Sequence, residues 1–592
     1  MNPEVFFAEG LELLEVGKQE KKKQFLHLAC KKFQKATDEA PSHLDAWKAW
    51  GTALELLGEP VLAKEKYAHL TPSPELYRSL GRVSYQIAEE SGEITDIKEA
   101  VQWLEKAEGP DCPGDYWIER GKAYLLMSEK VRDYRLITRA IQAFKKGVSM
   151  MIGSATGWKH LAAAMQKFYL HSQEEDHFSQ ASDCYAAALQ LHPSDGELWL
   201  EWAEFLLDSG RKTRDEKKLN LGVEKCRQAH VYLPKDPHVL AAWAQILALL
   251  GEITERADLL FEAEAKMNTA TEMDEDDPWL SYAFGMCYIS FADYFEDPDY
   301  LLQAIEKLQW SLSLDRTLYQ SWHAMAKCFQ IYASIQNDTD SLQKAIRFYS
   351  KAETLFPSRD YIVDGAIALT QLGEINSEPT LLEEAIRRFE WALDEQKNAL
   401  YSHTEWFFYY ACALDLLASH LDEEHLYLKA IEMLSHVIMV EPAFPHLHHK
   451  VGLVLSHLAD FRGSPQEFYR AQHHYRLALK ADAENDFVLV DWGVSLMNLS
   501  EYLLDTEEKE MVLREAHAKL SQAAALGSVQ SFYHLACFHS LLHEYEMALY
   551  FLEKSRQANV LPTLDEILDE EWLEGLRMTS HFQNFLTQIE KK

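Results

Sequence analysis

The chain is short of positive charge. Its 592 residues hold 58 lysines and arginines against 94 aspartates and glutamates, a net charge of −36. Nucleic-acid binding needs basic side chains to neutralise phosphates, so direct contact with DNA or RNA is not expected, nor with an anionic membrane face. A basic protein partner is favoured, its approach steered by the field of the chain. The same surplus of acid also keeps a surface soluble. Cysteine is scarce too: eight residues, scattered, with no C-x-x-C. Cys287, Cys328, Cys412 and Cys537 read as small buried hydrophobes of a reduced compartment, not as disulfides or zinc ligands. No apolar run reaches the ~18 residues of a membrane span. The opening MNPEVFFAEG lacks a basic stretch before an apolar core, so no signal peptide is expected. A cytoplasmic protein is the expectation.

Motifs of chemistry are missing as well. The chain has no G-x-x-x-x-G-K-S/T, no G-x-G-x-x-G, no H-E-x-x-H and no G-x-S-x-G. Carboxylate pairs abound, but a charge run on a helix is usually a solvated face. No catalytic residue and no cofactor or metal is expected. No linker rich in Gly, Ser or Pro divides the chain, and no low-complexity run appears.

What is present is a period. A small residue recurs at Gly10, Gly51, Gly81, Gly121, Ala162, Ala203, Ala244, Gly285, Ala326, Ala366, Ala411, Gly452, Gly493 and Ala536, mostly 40 or 41 apart. The units from Gly81 to Gly452 carry a second small residue 19 positions later, from Ala100 through Ala345 to Ala471. A fixed period of this size is the signature of a repeat array. In the unit from Tyr319 to Arg359, Trp322, Met325, Ala326 and Phe329 share one helical face. A polar break follows, with Asp340 as the expected N-cap. Leu342, Ala345, Ile346, Tyr349 and Ala352 then form the face of a second helix, which ends before Pro357. Each unit reads as two antiparallel helices. The small residues mark the close helix crossing, and the aromatics four residues after the second one are expected to fill the space between neighbouring units.

Trp158, Leu161, Ala162, Ala181, Tyr185, Ala188 and Pro193 match a known repeat pattern, as do Trp199, Trp202, Ala203, Ala229 and Pro234 in the next unit. The pattern resembles that of the tetratricopeptide repeat (TPR) family, over nearly the whole chain. The resemblance implies an all-α, right-handed α-α superhelical solenoid of about 14 TPR-like helix pairs. The array is assigned to residues 1–562 and a C-terminal helical cap to 563–592, with Leu568, Trp572, Leu573, Leu576, Phe582, Phe585 and Leu586 on its apolar face. The family's usual period is 34, with 12 residues between the two small positions. The seven additional residues equal about two helical turns, so elongated helices are expected rather than long loops.

The resemblance also implies a protein-interaction scaffold or adaptor, a chaperone-like role included, that binds a partner protein or peptide on a concave face lined by the first helices. An alternative is a regulatory or substrate-binding subunit whose active site lies in another chain. The lining positions fall six, three and two before each small residue, and one, four and five after it. They place Glu197, Glu201, Glu204 and Asp208 in an acidic stretch suited to Lys or Arg. They also place Trp279, Tyr282, Met286, Phe408 and Tyr409 as aromatic or apolar anchors, although such residues also pack the cores of these repeats. His446, His449 and His457 fall on the same face, near His448, His473 and His474. A pH-sensitive polar patch is the favoured reading of these histidines. The oligomeric state is left open.

Overall fold

The computed structural model describes residues 3–131, 133–172, 174–394 and 404–589. Among them there are helices and no strands. Residues 3–557 form fourteen helix pairs. The pairs belong to two compact units, one of eight pairs ending at Leu318 and one of six beginning at Tyr319.

The period has a simple composition. In the Ala162 pair the first helix, Ala155–Ser172, has 18 residues and the second, Glu175–Leu191, has 17. Two residues join them, and four more lead to the next helix, Gly196–Thr213. The extension over the common repeat length has gone into helix, as expected. A two-residue turn between antiparallel helices needs one residue in the left-handed region. Arg214, Asn337, Ser377 and Asp422 take it, with φ between 49° and 54°. The following N–H then folds back onto the helix, as Asp338 N does on Ala333 O at 3.1 Å and Glu378 N on Gly373 O at 2.9 Å. This satisfies a carbonyl of the last turn. The second turn residue caps the next helix: Asp133, Asp215 and Asp338 accept backbone N–H bonds there, each worth about 1 kcal/mol. The N-cap of helix Thr339–Leu355 is therefore Asp338, not Asp340. Asp340 sits within the first turn, where its charge still complements the helix dipole.

The small residue of each first helix is small because a large side chain lies on it. A Cβ on Gly121 would come within 2.6 Å of the Phe144 ring, one on Gly10 within 2.6 Å of Phe33, and one on Gly452 within 2.9 Å of Tyr475. These rings follow the second small residues Ala140, Ala29 and Ala471 by four positions. The ring thus covers the small residue of its own pair, rather than filling the space between neighbouring units. Ala29 extends the 19-residue spacing to the first pair. Phe33, Phe144, Tyr349, Phe389 and Tyr475 are fully buried, each contributing ~1.5–3 kcal/mol. The tyrosines keep a polar partner: Tyr349 donates to Gln330 Oε1 at 2.7 Å and Tyr185 to Gln166 Oε1 at 2.6 Å.

Within each unit, first helices of consecutive pairs touch one another. Helix Pro237–Ile253 packs on both Gly196–Thr213 and Pro278–Phe295. The second helices of consecutive pairs do not approach as closely, so the first helices line the inner side of each stack. At the Ala244 pair that side is closed. Ala241, Ala242 and Ala248 are buried there, and their small size lets the helices meet directly.

All eight cysteines are free, and Cys287, Cys328 and Cys537 are buried beside the small core residues. After residue 557, helix Leu564–Asp569 opens on a capping box between Thr563 and Glu566. Ile567, Leu573, Leu576, Phe582 and Phe585 are buried, and Trp572 and Leu586 are partly so. Leu568 is exposed instead of facing inward, because its neighbour Ile567 takes that place.

Candidate functional site

The lining positions form a ladder. The residue three before one small residue bonds the residue two before the next: Lys159 Nζ to Glu201 at 2.8 Å, His323 Nε2 to Asp364 at 2.7 Å, His449 Nε2 to Asp491 at 2.6 Å. The residue four after one bonds the residue five after the next: Gln330 with Gln371 at 2.8 Å, Asp415 with His457 at 2.9 Å. Consecutive first helices are thus offset by one residue along their length. Within each unit these bonded positions lie on the side where first helices meet.

The acidic stretch lies on helix Gly196–Thr213, whose start is capped by Asp195 accepting from Leu198 N at 3.0 Å. Glu201 is already paired with Lys159. Glu197, Glu204 and Asp208 have no cation within ion-pair distance among the described residues. Glu204 is exposed on this face. Desolvation, reinforced by Asp208, Glu201 and Asp236, pushes it up to about 7. Burial raises Asp208 as well, against the pull of Arg211 and Lys212. Four carboxylates on one helix face are held with a single bonded lysine, an arrangement that an incoming ammonium or guanidinium would relieve.

The aromatic candidates divide. Trp279 is 44% exposed, and its ring is edge-on to Tyr282 at 5.4 Å. It stands open on the inner side, with Met286 partly covered two turns on. Phe408 packs on Phe444 at 5.1 Å and on Tyr409 at 5.6 Å. Burial raises the Tyr409 phenol. Phe408 and Tyr409 therefore already have neighbours within their own unit.

The histidines do not act as one patch. His446 follows Pro445 and is the N-cap of helix Leu447–Arg462, in the left-handed region at φ 57°. It is exposed on a turn and does not share the helix face, because its left-handed backbone lies outside the helix. His449 belongs to the ladder through Asp491. His448 contacts His474 at 3.1 Å, and burial lowers both. Among the described residues no group of three His, Cys, Asp or Glu is placed to hold a metal ion.

Two features were not anticipated. The first is a buried triad in the second unit. Asp415, on helix Thr404–Leu421, accepts from Lys450 Nζ at 2.8 Å and from His457 Nδ1 at 2.9 Å. The signal was a lone Asp in the otherwise apolar run ALDLLAS. The second is a row of lysines over aromatic rings where first and second helices cross. Lys146 lies 3.6 Å from the Trp117 ring centre, Lys266 3.7 Å from Trp243, Lys519 4.0 Å from Trp492 and Lys225 4.4 Å from Trp202. Each contact is worth ~0.5–2 kcal/mol. A cleft of about 300 Å³ beside Trp158, Met165 and Cys184 is lined mainly by apolar side chains and offers no convergent set of ionisable groups.

No protein-family model and no curated protein matches the chain. Solved structures do. The APC/C hetero-tetramer Cut9-Hcn1 is 13% identical, over 89% of this chain and 95% of that one, with a TM-score of 0.40. The human IFIT1 dimer with m7Gppp-AAAA is 14% identical, over 75% and 91%, with a TM-score of 0.36. MamA is 19% identical, over 31% and 97%, with a TM-score of 0.24. These are TPR-repeat proteins. This chain is a long array of antiparallel helix pairs. At such identities and scores the likeness concerns helix pairing and says nothing of a ligand. Among the described residues no helix is long and apolar enough to cross a membrane.

Proposed function

We propose that the chain is a non-enzymatic scaffold or adaptor of the cytoplasm that holds a basic protein segment against the inner side of its first unit. The observation that carries this reading is the set of uncompensated carboxylates Glu197, Glu204 and Asp208. A fold can bury charge by pairing it, and elsewhere on the ladder it does so. Here Glu204 and Asp208 crowd together without an ion-pair partner among the described residues, at the cost of mutual repulsion. A lysine or arginine from a partner supplies the missing charge, and Trp279, two pairs further on, offers an open ring for an apolar or cationic side chain. A chaperone-like hold on basic clients is one form of the same activity.

The test is a titration of a fluorescein-labelled lysine-rich peptide, followed by anisotropy, against wild type and Glu204→Gln/Asp208→Asn. The proposal expects binding that weakens in the variant by at least about tenfold, or ~1.4 kcal/mol, and falls with added salt. Equal binding by the two proteins would contradict it.

A further inference from the structure

We propose that the turn edge shared by the Ala244 and Gly285 pairs, centred on Phe261, Phe295 and Leu302, is a docking surface for a basic amphipathic helix of a partner protein. This surface is separate from the inner carboxylates and does not depend on them.

Three large apolar side chains stand open there. Phe261 is 56% exposed, Leu302 48% and Phe295 36%. Phe261 and Leu302 occupy the same position on consecutive second helices, two residues before Ala263 and Ala304. The four preceding pairs carry Lys98, Thr138, Ser179 and Asn220 at that position. The array therefore does not need an apolar residue here, and a polar one is tolerated four times over. Phe295 is held from beneath, 5.4 Å from Tyr300 and 4.7 Å from Tyr294. The ring is fixed before any partner arrives, which lowers the ordering cost of binding. Exposed apolar clusters of this kind mark interaction sites.

The rim identifies the occupant. The turn reads Glu296-Asp297-Pro298-Asp299, with Glu255 beside it on the neighbouring turn. The bases beside it are already tied to acids, Arg256 to Asp258 at 2.6 Å and Arg214 to Glu252 at 2.7 Å. A second copy of this chain would set the same acids against each other, and an anionic lipid surface would be repelled. A helix with an apolar stripe flanked by lysines meets both features. Phe261 and Phe295 have ring centres 6.3 Å apart, close to the ~5–6 Å between side chains three or four apart on a helix.

The probe is a labelled peptide of about 18 residues, built of Leu and Lys in amphipathic order, with the same composition scrambled as control. Anisotropy should report binding of the ordered peptide to wild type. Phe261→Ser/Phe295→Ser, compared in the Glu204→Gln/Asp208→Asn background so that the inner carboxylates do not contribute, should weaken it at least about tenfold, as loss of two anchors does. Glu255→Lys/Glu296→Lys, which alters only exposed side chains, should weaken it as well and answers for any folding defect in the serine variant. Equal binding of the scrambled peptide, or wild-type binding by both edge variants, would overturn the proposal. So would self-association of wild type in sedimentation that Phe261→Ser/Phe295→Ser abolishes, since a second copy would then be the occupant.

Discussion

Replacing Asp415 with leucine should open the middle of the second unit. The carboxylate is fully buried and ties helix Thr404–Leu421 to Leu447–Arg462 through Lys450 and His457. Burial alone would raise its pKa, but Lys450 and His457 outweigh that and hold it well below the usual carboxylate range. Burial is likewise overcome at Lys450 and His457, which Asp415 drives upward. Leucine at 415 would leave the Lys450 ammonium without its partner in a site only 14% exposed. Breaking a buried pair in this way costs about 3–5 kcal/mol. An array of this length unfolds locally rather than all at once, so the loss belongs to these two pairs. Hydrogen exchange by mass spectrometry on their first helices should run at least about a hundredfold faster, the equivalent of ~3 kcal/mol. Exchange within about threefold of wild type, a difference of only ~0.7 kcal/mol, would refute the assignment. The triad also carries a pH signature. Asp415 has a depressed pKa, so its contribution is complete above the ordinary ~3.9 and is lost as pH falls toward the folded value. His457 has a raised pKa, so its contribution is complete below ~6.5 and is lost as pH rises through the folded value. Protection of these helices should therefore be greatest between ~4 and ~6.5.

Ala345→Trp should disrupt the Ala326 pair, since Ala345 is fully buried at the helix crossing and an overpacked core loses ~1–3 kcal/mol or more; circular dichroism and exchange rates like wild type would contradict the register. Lys266→Met should cost the Ala244 pair about 1 kcal/mol by removing the ammonium over Trp243, and unchanged urea unfolding would count against a cation–π contribution. Ser377→Gly should stabilise the Ala366 pair by about 0.5 kcal/mol, because glycine takes the left-handed turn without the Cβ penalty; slower local exchange is the expected result, faster exchange the refuting one. Glu204 has a raised pKa, so the folded chain binds the extra proton and stability falls as pH rises from ~4.3 toward 7. Glu204→Gln should flatten that slope, and an unaltered profile would show that the carboxylate is not crowded.

The helix pairs were legible because one physical rule repeats. A small residue on the first helix lies under a large one from the second, and the spacing between them reports helix length. The two-residue turn was harder to read. Asn337, Asp338 and Asp340 all suit a turn, and only the left-handed residue at 337 fixes Asp338 as the cap. His446 was misplaced because the register was carried one residue past the start of helix Leu447–Arg462, onto its left-handed N-cap. The Asp415 triad escaped because its members lie 35 and 42 residues apart, a spacing that means contact only once the one-residue offset between first helices is known. The offsets recur as bonds between neighbouring first helices, as in Lys159 with Glu201 and His323 with Asp364. They could not separate the open ring of Trp279 from Phe408, whose cover, Phe444, comes from the loop before the next pair.

The most direct test of the scaffold reading is a native pull-down with mass spectrometry, using wild type and Glu204→Gln/Asp208→Asn at low and high salt. The account predicts a basic protein that wild type retains at low salt, that high salt releases, and that the variant captures weakly or not at all. The same proteins recovered with both forms at high salt and fixed stoichiometry would contradict it, and would make this chain an obligate subunit held by apolar contacts.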